Sequence, residues 1–382
     1  MRIGIDGIPL ATPKAGIGHY TFELAHSLAA LAPDDEFELI APVPLPVEAN
    51  PAPNLRTVLG RSGGLRKRWW TIGLPLHLQE TRLPLFHGTN YLVPLWRRSV
   101  TVVTIHDLSL LLHSDTHRTD LVRRAKKRLP TMTRIANHIL TDSEAVKREI
   151  CEHLQVSSDK ITVVPLAPRR TFAPVPRNDD VEVRRRLGVE DDFILFVGTL
   201  EPRKNLITLV RAFDLLMRTT ELRPQLVVAG QKGWLTDDLF AHIDKSSTRD
   251  RILFTDYISD LDLAALYSSC KVSVYPSLYE GFGLPSLEAM ACGAPVITSR
   301  IPAIMETSSG AAKLITPTDV NELTAALVEL LTDAQAREHY KSLGLRRAAE
   351  YTWKRTAQQT LNVYRHVYSQ VRTRGSAMTQ PL

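Results

Sequence analysis

Little cysteine, no long apolar run and no acidic excess mark this 382-residue chain, and each shortage removes a class of protein. Its three cysteines, Cys151, Cys270 and Cys292, stand far apart and form no CxxC pair. That spacing argues against a disulfide framework and a structural zinc site, and it suits a reducing cytosol. No stretch approaches the ~20 consecutive apolar residues that a spanning helix needs. The opening Met1-Arg2-Ile3-Gly4-Ile5-Asp6 puts an acid where a signal peptide keeps its apolar segment, so a soluble, unexported, cytoplasmic protein is expected. Aromatics are only 7%, but hydrophobic residues reach 44% and charged residues 23%, which leaves out disordered and fibrous chains.

The charge present is unevenly placed. Residues 1–170 hold 22 Lys and Arg against 16 Asp and Glu, whereas residues 171–382 hold 25 against 25. The whole excess of +6 therefore lies in the first part. There Arg66-Lys67-Arg68 runs into Trp69-Trp70, Arg97-Arg98 follows Trp96, and Arg123 to Arg128 is nearly all cationic. Basic residues beside interfacial tryptophans fit an anionic membrane surface. A solvated helix face with two core tryptophans accounts for the same residues equally simply. Nucleic acid is not an expected partner, because no recognition motif accompanies the charge.

At 382 residues the chain exceeds what one core usually serves, so two domains are expected. Short apolar, β-branched runs alternate with helix-period stretches from end to end. Strands are predicted at Ile3–Ile5, Phe37–Ala41, Leu85–Phe86, Val100–Ile105, His138–Thr141 and Ile161–Val164, then at Phe193–Val197, Gln225–Ala229, Ile252–Thr255, Val272–Tyr275, Pro295–Thr298 and Ala311–Ile315. This βαβα order predicts an α/β fold of two doubly wound parallel sheets. Pro165, Pro168, Pro174 and Pro176 crowd the break between them together with the linker charges Arg169-Arg170 and Asp179-Asp180, giving domains over 1–170 and 171–350. Ligands of such sheets bind beyond the carboxyl ends of the strands, so a cleft between the domains is the expected site.

The most specific stretch, Tyr279-Glu280-Gly281-Phe282-Gly283-Leu284-Pro285-Ser286-Leu287-Glu288, follows the predicted strand Val272–Tyr275. Pro285 suits the first turn of a helix, so the N–H groups of Gly281, Phe282, Gly283 and Leu284 can converge on an anion. Glu280 before this loop and Glu288 on the helix can flank opposite ends of one elongated ligand, and carboxylates are natural acceptors for sugar hydroxyls. A second stretch, Gly198-Thr199-Leu200-Glu201-Pro202-Arg203-Lys204-Asn205, leaves the strand Phe193–Val197. Its Lys204 and Arg203 can reach a diphosphate and meet its charge as it departs.

Together these stretches resemble the retaining glycosyltransferases of family 4, over nearly the whole chain. The resemblance implies the GT-B fold, two Rossmann-like domains with a closing crossover helix over 351–372 packed back on the first. It implies a nucleotide-diphosphate sugar in the second domain and an acceptor in the first. Glu280 would hold a sugar hydroxyl, Glu288 the ribose, and Lys204 the diphosphate. Many members place an arginine where this chain has Thr199, so Arg203 or Thr199 would take its place. Gly16-Ile17-Gly18-His19-Tyr20-Thr21 matches the family's glycine loop, which touches donor phosphates or acceptor, and assigns Gly16, Gly18 and Tyr20 to substrate binding. His106, in Thr104-Ile105-His106-Asp107, matches a histidine at the sugar-facing wall.

The GIGHYT and GTLEPRKN variants are most similar to bacterial mannosyltransferases that build surface polysaccharides on lipid carriers. They imply a hexosyltransferase using GDP-mannose and a lipid-linked saccharide, peripheral on the inner face of the membrane. A UDP-hexose donor is the alternative within the fold, and a non-catalytic subunit of a polysaccharide complex the alternative outside catalysis. Neither metal nor cofactor is implied. Asp260-Leu261-Asp262 formally satisfies DxD, but Ser259 or Asp260 is expected to cap a helix there. Thr141-Asp142-Ser143-Glu144 has capping-box spacing, and His113 with His117 lacks a third metal ligand nearby. A nicotinamide oxidoreductase is disfavoured because Thr21 stands where the third glycine of GxGxxG belongs.

Overall fold

The computed structural model describes residues 1–12, 16–46, 52–60, 68–96 and 99–377. The chain divides into two compact units: Met1–Leu108 with Arg124–Leu166 and Thr352–Leu382, and Ser109–Arg123 with Ala167–Tyr351. The sequence boundary at 170 thus moves to 166, and Ser109–Arg123 changes sides. The cause is local: the Trp234 indole donates to the Thr116 carbonyl at 2.9 Å, and the His113 ring lies 4.8 Å from that of Tyr279.

The first unit carries a seven-stranded parallel sheet in the order β3-β2-β1-β4-β5-β6-β7. Its strands are β1 Arg2–Asp6, β2 Glu36–Ala41, β3 Leu55–Leu59, β4 Leu85–Gly88, β5 Val100–Thr104, β6 His138–Thr141 and β7 Ile161–Val163. All but β3 were predicted; β3 is an edge strand with Arg56, Thr57 and Leu59 exposed, so it lacks the apolar signature of its neighbours. The helix Trp353–Ala377 closes this unit. Trp353, Ala357, Leu361, Tyr364 and Val367 recur at helical spacing and are all buried. On this helix Thr356 donates to the Pro165 carbonyl at 2.7 Å, and the Tyr364 hydroxyl meets His87 Nδ1 at 2.6 Å.

The second unit carries a six-stranded parallel sheet in the order β10-β9-β8-β11-β12-β13. Its strands are β8 Phe193–Val197, β9 Gln225–Ala229, β10 Ile252–Asp256, β11 Val272–Tyr275, β12 Val296–Ser299 and β13 Lys313–Ile315. On one face Ile194, Phe196, Leu226, Val228, Val272 and Val274 bury against Leu209 and Phe213 of the helix Leu206–Thr219 and Leu323 and Leu327 of Val320–Thr332. Each such side chain contributes ~1.5–3 kcal/mol.

Arg66, Lys67, Arg97 and Arg98 lie outside the described residues. Trp69 is core, packed with Ile40, Leu74, Leu78 and Phe86, whereas Trp96 stays half exposed. The run Arg123–Arg128 sits on the helix Thr119–Ile135, where Val122, Ala125, Leu129 and Met132 are buried and Arg123, Arg124, Lys126, Lys127 and Arg128 face solvent. Among the described residues no helix is long and apolar enough to cross a membrane.

Candidate active site

In the second unit, the loop after β8 is held open by two glycines. Gly198 ends the strand at φ +154°, and Gly230 leaves β9 at φ +152° against it. A Cβ on Gly230 would lie 2.0 Å from the Gly198 carbonyl oxygen, so only glycine allows this approach. Leu200 N–H then donates to the Gln231 carbonyl at 2.9 Å. Asn205 turns the chain into the helix Leu206–Thr219 in the left-handed region, φ 56°, and its amide donates to the Pro276 and Pro317 carbonyls at 2.9 and 2.7 Å. Lys204 is thereby fixed at the carboxyl end of β11.

There the Lys204 ammonium donates to Glu280 Oε1 at 2.7 Å and to the Tyr275 hydroxyl, which itself donates to the same carboxylate oxygen at 2.8 Å. Arg203 stands 3.2 Å from that oxygen, and it also donates to Glu201 at 2.6 Å and to the Tyr279 carbonyl at 3.0 Å. Burial alone would raise Glu280, but Lys204 and Arg203 outweigh it and hold the carboxyl at about 2. Burial, with Arg203 alongside, lowers the Lys204 ammonium from its ordinary value. The result is a buried, ionised carboxylate held between two cations, Lys204 and Arg203, with Glu201 balancing the second. Thr199, beside them in sequence, is exposed, while Arg203 is engaged by protein groups.

Gly283, at φ +87°, starts the helix Leu284–Ala291, with Pro285 in its first turn as expected. Gly281, Phe282 and Gly283 are buried and Leu284 is half-buried. Glu288, one turn along, belongs to a separate ionic cluster: Arg169 Nε and Nη2 donate to its two oxygens at 2.7 and 3.0 Å. The third arm of the fork, Nη1, reaches Asp260 at 2.6 Å. Ser259 caps the helix Asp260–Ser269 through Asp262 N–H, and Asp262 pairs with Arg186, so the two acids of the DxD stretch serve different arginines. Among the described residues no group of three or more His, Cys, Asp or Glu is placed to hold a metal ion.

The first unit holds the remaining residues. Gly16 begins the helix Gly16–Leu31 in an exposed position, and Gly18, two residues on, is buried. Tyr20 is buried with its hydroxyl 2.9 Å from Thr104 Oγ1 and its ring edge-on to His106 at 4.7 Å. It therefore braces His106, where the sequence had it binding substrate. His106 follows β5 and meets Asp142 Oδ2 at 2.8 Å through Nδ1 and the Thr89 carbonyl at 3.0 Å through Nε2. The Thr89 carbonyl takes the Nε2 proton, and an ionised Asp142 favours a second proton on Nδ1. Burial would lower His106, yet Asp142 and the Thr89 carbonyl bring it above its ordinary value. Both ring nitrogens are thus held by protein groups, which fixes the orientation of the ring.

Two expectations follow. Asp142→Asn removes the charge that opposes burial, so His106 is expected to fall below its ordinary value, as an NMR titration of the ring would show. A Cβ added at Gly16 meets nothing within 4 Å. Gly16→Ala is therefore expected to keep or slightly raise the stability, by up to ~1 kcal/mol of helix propensity, read as an unchanged or higher Tm. If a ligand approaches this backbone, the same change raises a KM.

Four residues of these clusters escaped the sequence reading. Arg169 looked like linker charge, Asp142 like part of a capping box, Tyr275 like a strand end, and Gly230 went unmentioned. Ser143, and not Thr141, is the cap, its hydroxyl accepting from Val146 N–H at 3.2 Å. A polar or glycine residue at a parallel strand's carboxyl end was the available signal for Tyr275 and Gly230.

Two parallel doubly wound sheets with a returning C-terminal helix, and a buried lysine–glutamate pair at the strand ends of the second, define a GT-B glycosyltransferase. Residues 15–167 match the model of Glycosyltransferase Family 4 and residues 179–346 that of Glycosyl transferases group 1. O-antigen chain mannosyltransferase B of Escherichia coli is 30% identical over 96% of this chain and 100% of its own. Sucrose-phosphate synthase from Thermosynechococcus elongatus shares the fold, with a TM-score of 0.77 at 23% identity over 96% of this chain and 99% of that one. So does HepE from Anabaena in complex with UDP-glucose, with a TM-score of 0.74 at 16% identity over 96% and 99%. The chain belongs to family 4 of the glycosyltransferases.

Proposed function

We propose that the enzyme transfers mannose from GDP-mannose, with retention, to a lipid-linked saccharide in the assembly of a surface polysaccharide. The observation that carries the site is the Lys204–Glu280 pair at the end of β11. A sugar nucleotide places a hydroxyl-rich ring and a diphosphate a few ångströms apart, and this pair offers an ionised acceptor and a cation at that spacing. Glu280 orients the sugar through its hydroxyls. Lys204 receives the departing diphosphate with the Gly281–Leu284 amides, and Glu288 takes the ribose. Arg203, engaged by Glu201 and the Tyr279 carbonyl, aims the pair and adds long-range positive charge. Gly198 and Thr199 line the diphosphate's approach. Gly16, Gly18 and His106, which the resemblance assigns to the substrates, belong to the first unit.

In this reading the departing phosphate takes the acceptor's proton on the same face of the sugar, and fixed donors stabilise the growing charge. The donor is a co-substrate, and no resident cofactor or metal enters the scheme. Mannose is supported by the E. coli relative, which is similar over its full length. The UDP-glucose complex of HepE supports UDP-hexose as the second reading. The exposed cationic face of the helix Thr119–Ile135 supports peripheral docking on an anionic cytoplasmic leaflet. Thermal-shift screening against GDP, UDP, ADP and their sugars tests the donor, since ligands of the native state raise its Tm. GDP and GDP-mannose are expected to give the largest shifts; a larger shift with UDP-hexose would replace them.

A further inference from the structure

Glu288 is a buried carboxylate on a short helix, and the partner that fills its two oxygens comes from far away in sequence. Arg169 lies in the segment after β7, three residues before Phe172, whose ring it covers at 4.3 Å. Its guanidinium makes the fork-to-fork pair with Glu288 and uses its remaining arm on Asp260. Bidentate pairs of this kind fix a carboxylate's plane as well as its charge. A carboxylate has about four lone pairs; the fork engages one on each oxygen and the Arg169 backbone N–H a third, so some acceptor capacity remains.

We propose that Arg169 is a positioning residue for the donor: it locks the Glu288 carboxylate in one orientation, anchored by Asp260, so that its remaining lone pairs meet the ribose hydroxyls. The inference rests on the reading of Glu288 as a ribose ligand. It extends that reading to a side chain outside every motif singled out in the sequence, and assigns nucleoside affinity partly to the segment between the two sheets.

The electrostatics agree. Burial raises the Glu288 carboxyl above its ordinary range; Arg169 opposes that rise and Asp260 adds to it. Tyr267 and Cys292, the other titratable groups that interact with it, are themselves pushed up by burial and stay neutral. Among the described residues, Arg169 is the cation that opposes this rise. Without it, burial acts unopposed, and the carboxyl gains a proton more readily as pH falls.

The test is calorimetric titration of the full chain with GDP, with UDP in parallel, and with inorganic pyrophosphate, at mildly acidic and mildly alkaline pH. Arg169→Gln is expected to weaken nucleoside diphosphate binding ~10-fold or more, the scale of one charge-assisted hydrogen bond. The loss should widen toward acidic pH and leave pyrophosphate binding unchanged, because the pyrophosphate contacts lie at Lys204. Arg169→Lys is expected to recover part of the affinity and most of the pH profile, since it restores charge without the fork. Equal losses for GDP and pyrophosphate would reduce Arg169 to a structural role and overturn the proposal. Unchanged or tighter GDP binding would do the same, the latter marking Arg169 as a cover that the donor must displace. Glu288→Gln separates the layers: if it too leaves GDP binding intact, the ribose reading itself fails. If Glu288→Gln weakens binding and Arg169→Gln does not, only the positioning role falls.

Discussion

Replacing Glu280 by glutamine is expected to lower turnover by ~100-fold or more, the cost of removing one preorganised electrostatic contact at a reacting centre. The stability of the enzyme should fall with it. Lys204 and Arg203 would face a neutral amide, and breaking a buried ion pair costs ~3–5 kcal/mol. Acid unfolding carries a signature that separates this effect from simple misfolding. Glu280 has its folded value at about 2 against an ordinary 4.5, so its contribution is fully present above that ordinary value and lost as pH falls through about 2. That shift corresponds to ~3 kcal/mol, part of which the depressed Lys204 ammonium offsets. The wild type should therefore lose stability across this acidic window, and Glu280→Gln should show a flatter profile there. A variant that unfolds with the same acid dependence as the wild type, or that transfers sugar at the wild-type rate, would remove Glu280 from the site.

Gly230→Ala is expected to be the most destabilising single methyl in the second unit's active-site region. The new Cβ would sit 2.0 Å from the Gly198 carbonyl oxygen, and the obstacle is backbone, which cannot rotate away. The residue's φ of +152° adds strain for any L side chain. A loss of ~3 kcal/mol or more is expected, measured by urea unfolding. Protein that still folds must move the Gly198–Lys204 loop, so its KM for the donor should rise. By contrast, a Cβ on Gly310 meets nothing within 4 Å, and its substitution should disturb only the local turn.

How far the chain could be read in advance depended on whether a signal was local. Central strands such as Phe193–Val197 and Val272–Tyr275 announce themselves because both faces are buried, and apolar runs follow. Edge strand β3 does not, since Arg56 and Thr57 are exposed on it. That Glu280 and Lys204 share one end of the sheet was accessible, because two recognisable loops leave the neighbouring strands β8 and β11, although their direct ion pair was not expected. The partners of Glu288 and His106 were not. Arg169 reaches Glu288 across 119 positions and Asp142 reaches His106 across 36. In each case nothing near the residue in sequence names its partner. A long-range side-chain contact is fixed by packing, and one sequence carries no record of it.

The returning helix has a consequence for biosynthesis. Met1 pairs with Asp35, and Arg365 pairs with the same aspartate, so the first unit joins segments that come before and after the second in sequence. Nascent chain emerging through Tyr351 holds every strand of the second sheet, while His87 still waits for Tyr364. The second sheet can be assembled during translation, whereas the first lacks the partner of His87 until the helix Trp353–Ala377 has followed. Vectorial synthesis therefore inverts the usual order for this enzyme: what is made early matures late.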